Sequence, residues 1–204
     1  MNLIQRIEWR FYKELRRLRL KNRRPTIIAS NCIGTFMYYD LKMRFQSPTI
    51  NLSFEMNDYV RFLENLRWYL EQPVIPFEDD RFEYPCGMVG DVEIRFNHYK
   101  TFEEAAEKWN ERRQRIDWDN LFVIGIDGDG CTYESLQRFD ALPYSNKVIF
   151  TNKPYPEFAS AYYLPGFEER DRVGRATDFK DQFWIRRYMD SFDYISFLNG
   201  KGFK

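Results

Sequence analysis

Two carboxylates follow the most apolar stretch of the chain, since Asp127 and Asp129 come directly after residues 121–126. Carboxylates two residues apart at the end of a strand can point into one space, and their oxygens suit a hard cation. We therefore predict a catalytic pair that holds Mg²⁺, Mn²⁺ or the hydroxyl groups of a sugar. An EF-hand is excluded, because the third ligand and the bidentate glutamate of that calcium loop are both missing.

His98 is the single histidine of the sequence and stands where a predicted strand changes into a predicted helix. Imidazole titrates near neutral pH, so His98 is a candidate proton carrier in catalysis. With Ser30 or Cys32 it would also form a nucleophile and its base. The alternative is a histidine that only hydrogen-bonds a loop. Zinc is not expected, because one histidine and three cysteines without paired spacing do not supply its ligands.

Small polar residues follow three of the predicted strands. In an open α/β sheet, ligands bind outside the carboxyl ends of the strands, so these residues are candidates for substrate contacts. Turn formation explains the same residue types, because Asn, Asp and Gly tolerate left-handed backbone angles. The predicted substrate-binding residues are Ser30, Asn31, Cys32, Thr151 and Asn152.

Residues 123–132 are similar to the nucleophile loop of haloacid-dehalogenase phosphatases, in which an apolar strand ends in Asp-x-Asp. That resemblance implies a Mg²⁺-dependent phosphatase that needs Asp127. It is incomplete, since Cys131 stands where the family has threonine or valine. In addition, only about 75 residues follow, too few for the later lysine and acidic motifs of that family.

Alternating strand and helix patterns surround these candidates. The predicted strands occupy residues 26–29, 48–54, 92–96, 121–126 and 148–150, with 92–96 paired across a turn to the residues before it. The predicted helices lie around residues 36–38, over 57–71 and 102–116, around 136–139, and from about 178 to 189. This order predicts a three-layer α/β/α fold with a mainly parallel or mixed central sheet. We interpret residues 25–204 as one α/β domain.

Residues 1–24 form a separate element in this interpretation, a basic amphipathic helix. Nine basic and two acidic side chains give residues 1–25 a net charge of +7, which the rest of the chain balances. Apolar residues recur at steps of three and four and make one stripe along the helix. The members of this stripe are Leu3, Ile4, Ile7, Phe11, Leu15 and Leu18.

The sequence allows two main roles for this helix and does not decide between them. In the first, the stripe packs on the protein's own body and the arginines face water. In the second, the helix lies on an anionic membrane surface, where each cation near the headgroups adds about 1 kcal/mol. A partner protein or nucleic acid is the remaining alternative. A signal peptide is excluded, because charges and apolar residues are interleaved.

Composition limits the class of protein. The 31 basic and 31 acidic side chains of this 204-residue chain cancel, so no nucleic-acid partner is expected. With 44% apolar residues the chain can bury a sizeable core, which excludes disorder. Three cysteines indicate reduced thiols, so we expect a cytoplasmic protein, peripheral at the inner membrane face if the helix docks there. A classical NAD site is not expected, because the glycine-rich fingerprint is missing.

A set of short motifs extends over most of the chain. The motifs are Ser30-Asn31-Cys32 with Gly34, residues 47–52, His98-Tyr99, Ala105 with Lys108-Trp109 and Arg112, and residues 129–132. Together they resemble a bacterial family, the domain of unknown function 1919, from about residue 26 to 200. The resemblance implies a three-layer α/β/α fold and a role in exopolysaccharide or capsule biosynthesis. It assigns no catalytic residue.

Three functions follow from these observations. We predict first a transferase that acts on an activated sugar or a nascent polysaccharide, with a sugar or nucleotide-sugar ligand. The alternative from another class is a non-catalytic accessory protein that binds glycan or a membrane-associated biosynthetic complex. The Mg²⁺-dependent phosphatase is the third.

Overall fold

The computed structural model describes residues 2–180 and 185–203. Within them, the helices are α1 (Leu3–Arg19), α2 (Ile33–Asp40), α3 (Met56–Glu64), α4 (Leu66–Glu71), α5 (Phe102–Arg113), α6 (Tyr133–Ala141) and α7 (Tyr194–Leu198). The strands are β1 (Thr26–Ala29), β2 (Val74–Phe77), β3 (Cys86–Val89), β4 (Val92–Arg95), β5 (Leu121–Ile126), β6 (Lys147–Thr151) and β7 (Ala161–Tyr163). Short 3₁₀ turns lie at Trp118–Asn120 and Tyr188–Ser191.

A four-stranded sheet in the order β1-β5-β6-β7 forms the middle of the molecule, and its three pairings are parallel. Ile28 of β1 pairs with Val123, and Ile124 of β5 pairs with Val148. Both central strands are apolar at nearly every position, as strands covered on two faces require. The predicted mainly parallel sheet is confirmed. The fourth strand of this sheet, β7, has three residues and is too short for an alternating pattern to be recognised in the sequence.

Helices cover both faces of this sheet and enclose a core on each. Val123 of β5 packs in one core with residues of α3, α5 and α6. Phe122 and Ile124 point the other way, into a second core with residues of α2 and α7. Successive side chains of a strand alternate between faces, so one strand contributes to both cores. The predicted three-layer arrangement is therefore confirmed.

A small antiparallel sheet in the order β2-β3-β4 packs over the first core. The turn between β3 and β4 passes through Gly90, whose φ is +60°. A residue with a side chain rarely adopts that angle. This hairpin confirms the predicted pairing of residues 92–96 with the residues before them. Pro76 lies in the edge strand β2, where a missing N–H is tolerated.

The strand predicted at residues 48–54 is wrong. The segment is irregular except at Ser53, which forms an isolated bridge with Arg95. Pro48 has no N–H, and Asn51 has a φ of +62°, so a continuous ladder cannot form. The segment instead covers the outer edge of β1, where the Ala29 N–H donates to Thr49 Oγ1 over 3.0 Å.

The helix predicted at residues 57–71 is interrupted. It forms α3 and α4, because Asn65 has φ −136° and ψ 46°, outside the helical region. The predicted helix at 102–116 ends earlier, at Arg113. Its N-terminus is as expected, since Thr101 accepts a hydrogen bond from the Glu104 N–H over 3.2 Å.

The helix predicted from Asp178 is not formed in the described part of that segment. Phe179 makes an isolated bridge with Arg187, and Met189 lies in a 3₁₀ turn. Phe183, which we predicted on the same helix, lies outside the described residues. The Lys180 N–H donates to the Arg186 carbonyl and the Tyr188 N–H to the Asp178 carbonyl, which are not the partners of a helical turn.

α1 packs on the body with its polar side. Arg16 is 5% exposed and forms an ion pair with Asp190, and Trp9, on the same side of the helix, is also buried. The interpretation in which the apolar stripe packs on the body is wrong, because every member of the stripe is between 45% and 79% exposed. Those members are Leu3, Ile4, Ile7, Phe11, Leu15 and Leu18.

Candidate functional site

A cleft of about 790 Å³ lies at the carboxyl edge of the main sheet. Residues that follow β1 and β5 line it, together with the first turn of α2 and the segment 170–178. In parallel α/β sheets this edge is where ligands bind, because the loops after neighbouring strands meet there. The cleft is large enough for a ligand of several rings or phosphate groups.

The predicted site residues divide between the cleft and its support. Those that line the cleft are Ser30, Asn31, Cys32, His98 and Asp129. Those that lie outside its lining are Asp127, Thr151 and Asn152. The loops after β1 and β5 therefore meet as predicted, whereas the residues after β6 have another role.

Ser30 places an unpaired hydroxyl in the wall of the cleft. Ser30 is 5% exposed, and its buried Oγ has no hydrogen-bond partner in the protein. A buried hydroxyl without a partner costs about 1–3 kcal/mol, so such an atom points to a ligand that supplies the bond. The backbone of Ser30 is fully used, since its N–H donates to Ile124 and its carbonyl accepts from Phe54.

α2 begins in the same wall. Cys32 is its N-cap residue but makes no side-chain bond to the helix, while Asn31 Oδ1 accepts the Ile33 N–H over 3.0 Å. Gly34 lets the helix approach β1, because a Cβ there would lie 3.0 Å from the Cβ of Ala29. A helix N-terminus carries a partial positive charge, so this turn favours an anion in the cleft.

Cys32 and His98 differ in what they can do chemically. Burial raises the pKa of the Cys32 thiol to about 11, so the thiol stays protonated at neutral pH and is a poor nucleophile. His98 lines the cleft with an exposed ring, from which it can deliver a proton to a bound ligand or accept one. The arrangement favours His98 as a general acid or base over a Cys32–His98 pair.

Three exposed guanidinium groups line another part of the cleft. They belong to Arg170, Arg172 and Arg175, all within one irregular segment. Guanidinium donors match the oxygens of phosphate and carboxylate groups, so this part of the cleft also favours an anion.

Asp127 and Asn152 hold that arginine segment in place. Asp127 Oδ1 accepts the Val173 N–H and Oδ2 accepts the Asn152 N–H, each over 2.7 Å. Asn152 Nδ2 donates in turn to the Arg170 carbonyl over 2.5 Å. Thr151 orders the turn that contains Asn152, because its hydroxyl donates to the Lys153 carbonyl over 2.8 Å. These predicted site residues thus position the cleft wall.

Asp127 and Asp129 have separate partners. Burial raises the pKa of the Asp127 carboxyl to about 6, although its two backbone N–H donors act in the opposite direction. Asp129 is exposed and pairs with Arg172 over 3.5 Å and with Arg95 over 3.6 Å. Within residues 2–180 and 185–203, no three His, Cys, Asp or Glu side chains are grouped to hold a metal ion. The predicted metal pair has no support in this arrangement, and a Mg²⁺ or Mn²⁺ ion would need oxygens from the ligand.

Comparison with known proteins identifies the family. A family model described as a domain of unknown function (DUF1919) matches residues 3–199. The chain belongs to this family. The DUF1919 match includes α1. The sequence motifs that indicated this family all lie after that helix. An uncharacterised protein of Haemophilus influenzae is 44% identical over 182 residues, which are 89% of this chain and 87% of the relative.

Sequence patterns alone do not reveal the arginines of the DUF1919 cleft. Arg95 is not in the lining but pairs with Asp129, which is. The alternation at residues 92–96 places Arg95 on the exposed face of a strand, whereas it is 8% exposed and donates to Glu93 over 3.0 Å. Arg170, Arg172 and Arg175 stand in a run of mixed charge without a period. The one available signal is three arginines within six residues.

Proposed function

We propose that this DUF1919 protein is a transferase that acts on an activated sugar, and that its cleft binds the phosphate groups of the donor. One observation carries the proposal: the three arginines of segment 170–175, the first turn of α2 and the unpaired Ser30 hydroxyl all line a single cleft. The setting in exopolysaccharide or capsule biosynthesis comes from the family resemblance.

The electrostatics of the cleft support an anionic leaving group. Sugar transfer from a phosphate-activated donor moves negative charge onto the departing phosphate. Guanidinium groups and a helix N-terminus stabilise that charge where it develops. Asp129 offsets part of this positive charge through its ion pair with Arg172, while Arg170, Arg172 and Arg175 all remain exposed in the lining of the cleft.

Each residue of the cleft then has a role in the proposal. His98 accepts the proton of the acceptor hydroxyl, and Asp129 accepts hydrogen bonds from hydroxyl groups of the sugar. Ser30, Asn31 and Cys32 contact the ligand directly. Asp127, Thr151 and Asn152 are positioning residues. A divalent cation, where the reaction uses one, is bound by the donor phosphates together with Asp129.

The three cysteines are free thiols in the structure, which supports the predicted cytoplasmic location.

The phosphatase alternative loses its main support, because both oxygens of Asp127 accept backbone N–H groups and Asp127 does not line the cleft. The accessory alternative predicts no ligand-dependent stabilisation by any sugar donor.

Thermal unfolding with a panel of nucleotide sugars, each with and without Mg²⁺ and Mn²⁺, tests the proposal. A donor at a hundred times its Kd should stabilise the fold by about 2.7 kcal/mol. Arg172→Gln should weaken that donor at least tenfold, because it removes a charged contact to phosphate.

Arg138→Gln is the matched control. Arg138 is also a surface arginine in an ion pair, with Glu64 over 2.8 Å, but it lies outside the cleft. Its substitution should leave donor binding unchanged. No stabilisation by any donor, or equal loss in both variants, would contradict the proposal and favour the accessory protein.

A further inference from the structure

α1 presents its apolar stripe to solvent although it is an ordered part of the fold. Half of the exposed large hydrophobic side chains found among the described residues belong to this one helix. A contiguous apolar surface on a folded protein marks an interaction site, because water contact with it is unfavourable. The stripe thus lacks a partner within residues 2–180 and 185–203.

The opposite side of α1 is anchored to the body. Arg16 pairs with Asp190, and the ring of Trp9 packs edge-on against Phe179 with centroids 5.3 Å apart. Lys13 adds an ion pair of 3.7 Å with Asp40. These contacts hold the helix in one orientation, so rotation cannot bury the stripe in the protein itself.

The helix geometry places cations beside the stripe. At 100° per residue the stripe covers an arc of about 120°, and Trp9 and Arg16 lie on the far side of the helix. The same arc includes Glu14, whose carboxylate is ion-paired with Arg17 and Lys42. Exposed Arg6 and Arg10 border one edge of the stripe, and exposed Arg19 lies near the other. Lys21, Arg23 and Arg24 follow the helix and are also exposed.

We infer that α1 docks the protein on an anionic lipid bilayer, with the helix axis in the membrane plane. The apolar stripe enters the boundary between headgroups and acyl chains, and the bordering arginines contact lipid phosphates. The helix spans about 26 Å, so its whole apolar face can lie at one depth. Among the described residues, no helix is long and apolar enough to cross a bilayer.

Charge favours a membrane over a second copy of the chain as the occupant. A symmetric dimer through the stripe would bring the arginines of two copies together, which is unfavourable because like charges repel. An anionic headgroup layer pairs with the same arginines. The inference is independent of the cleft, so it stands or fails separately from the proposed transferase.

Co-sedimentation of the full chain with phosphatidylcholine vesicles, with and without phosphatidylglycerol, tests the inference. We expect binding to the anionic vesicles that weakens as salt is added. Ile7→Glu combined with Phe11→Glu should lower binding at least tenfold. Arg6→Gln combined with Arg10→Gln should lower it roughly tenfold or more, since each cation near anionic lipid contributes about fivefold.

Ile75→Glu is the matched control, because Ile75 is an exposed isoleucine of β2, outside α1. It should bind vesicles like the natural chain, and all variants should keep the same thermal midpoint because the changed side chains face solvent. The inference is overturned if the natural chain does not bind anionic vesicles, or if the stripe variant binds equally well. It is also overturned if light scattering detects a dimer that the stripe variant dissociates.

Discussion

At the scale of single residues, the two carboxylates of the Asp-x-Asp sequence differ because of burial. Asp127 is 7% exposed and accepts two backbone N–H groups, whereas Asp129 is exposed and ion-paired at the surface. Their spacing in sequence is the same as in a metal-binding pair. Because the fold gives them different environments, Asp127 supports the cleft wall and Asp129 lines the cleft.

Asp127→Ala should therefore destabilise the protein by about 2–5 kcal/mol, since two buried N–H groups lose their acceptor and each costs about 1–3 kcal/mol. Asp129→Ala should change the free energy of unfolding by less than about 1 kcal/mol, as exposed ion pairs do. Urea unfolding of both variants measures the difference. Equal effects on stability would show that Asp127 does not hold the arginine segment.

At the scale of elements, the position of α2 decides whether its N-terminus reaches the cleft. Only three residues, 30–32, connect β1 to α2, and all three line the cleft. Gly34 allows the helix to pack directly on the Ile27 and Ala29 side chains of β1. A larger residue there would move the first turn of α2 away from the sheet.

Gly34→Val should cost about 1–3 kcal/mol of stability, as overpacking of a core does, and should also weaken anion binding in the cleft. Gly202→Val is the control, because a Cβ at Gly202 would meet no atom within 4 Å. Unfolding and donor titration measured on both variants check the prediction. An unchanged affinity in a folded Gly34→Val protein would separate α2 from the ligand site.

At the scale of the whole molecule, α1 packs against a segment that is distant in sequence, residues 190–194. Arg16 and Asp190 are 174 residues apart in sequence and both are buried, and the Arg16 guanidinium lies 4.0 Å from the ring centre of Tyr194. The element that receives α1 also borders the cleft segment, because Arg187 donates to the Thr177 carbonyl. The helix proposed for the membrane and the cleft proposed for the donor thus share one support.

Arg16→Leu should destabilise the protein by about 3–5 kcal/mol, because it leaves the buried Asp190 carboxylate without its cationic partner. Arg10→Leu changes the same residue type on the exposed side of the same helix, and we expect almost no effect on stability. Urea unfolding compares the two variants. A similar small effect in both would mean that α1 is not anchored through Arg16.

Local patterns in the sequence are sufficient for much of the fold. The apolar runs of β1, β5 and β6, the cap at Thr101 and the stripe of α1 depend on neighbouring residues, so they can be predicted without coordinates. The same holds for the polar residues that follow each strand. β7 and the course of residues 48–54 depend on contacts from distant segments, and the sequence patterns miss or misassign them.

The amino-acid sequence by itself determined the parallel sheet, the amphipathic basic helix and the polar residues at the strand ends, because these features follow from local period and backbone preference. Only the tertiary structure decided which side of α1 faces the body, which carboxylate supports the wall, and that the arginines of segment 170–175 reach the cleft. The physical reason is distance along the chain. Burial and hydrogen bonding between Asp127 and Val173, or between Arg16 and Asp190, exist only after the intervening chain has folded.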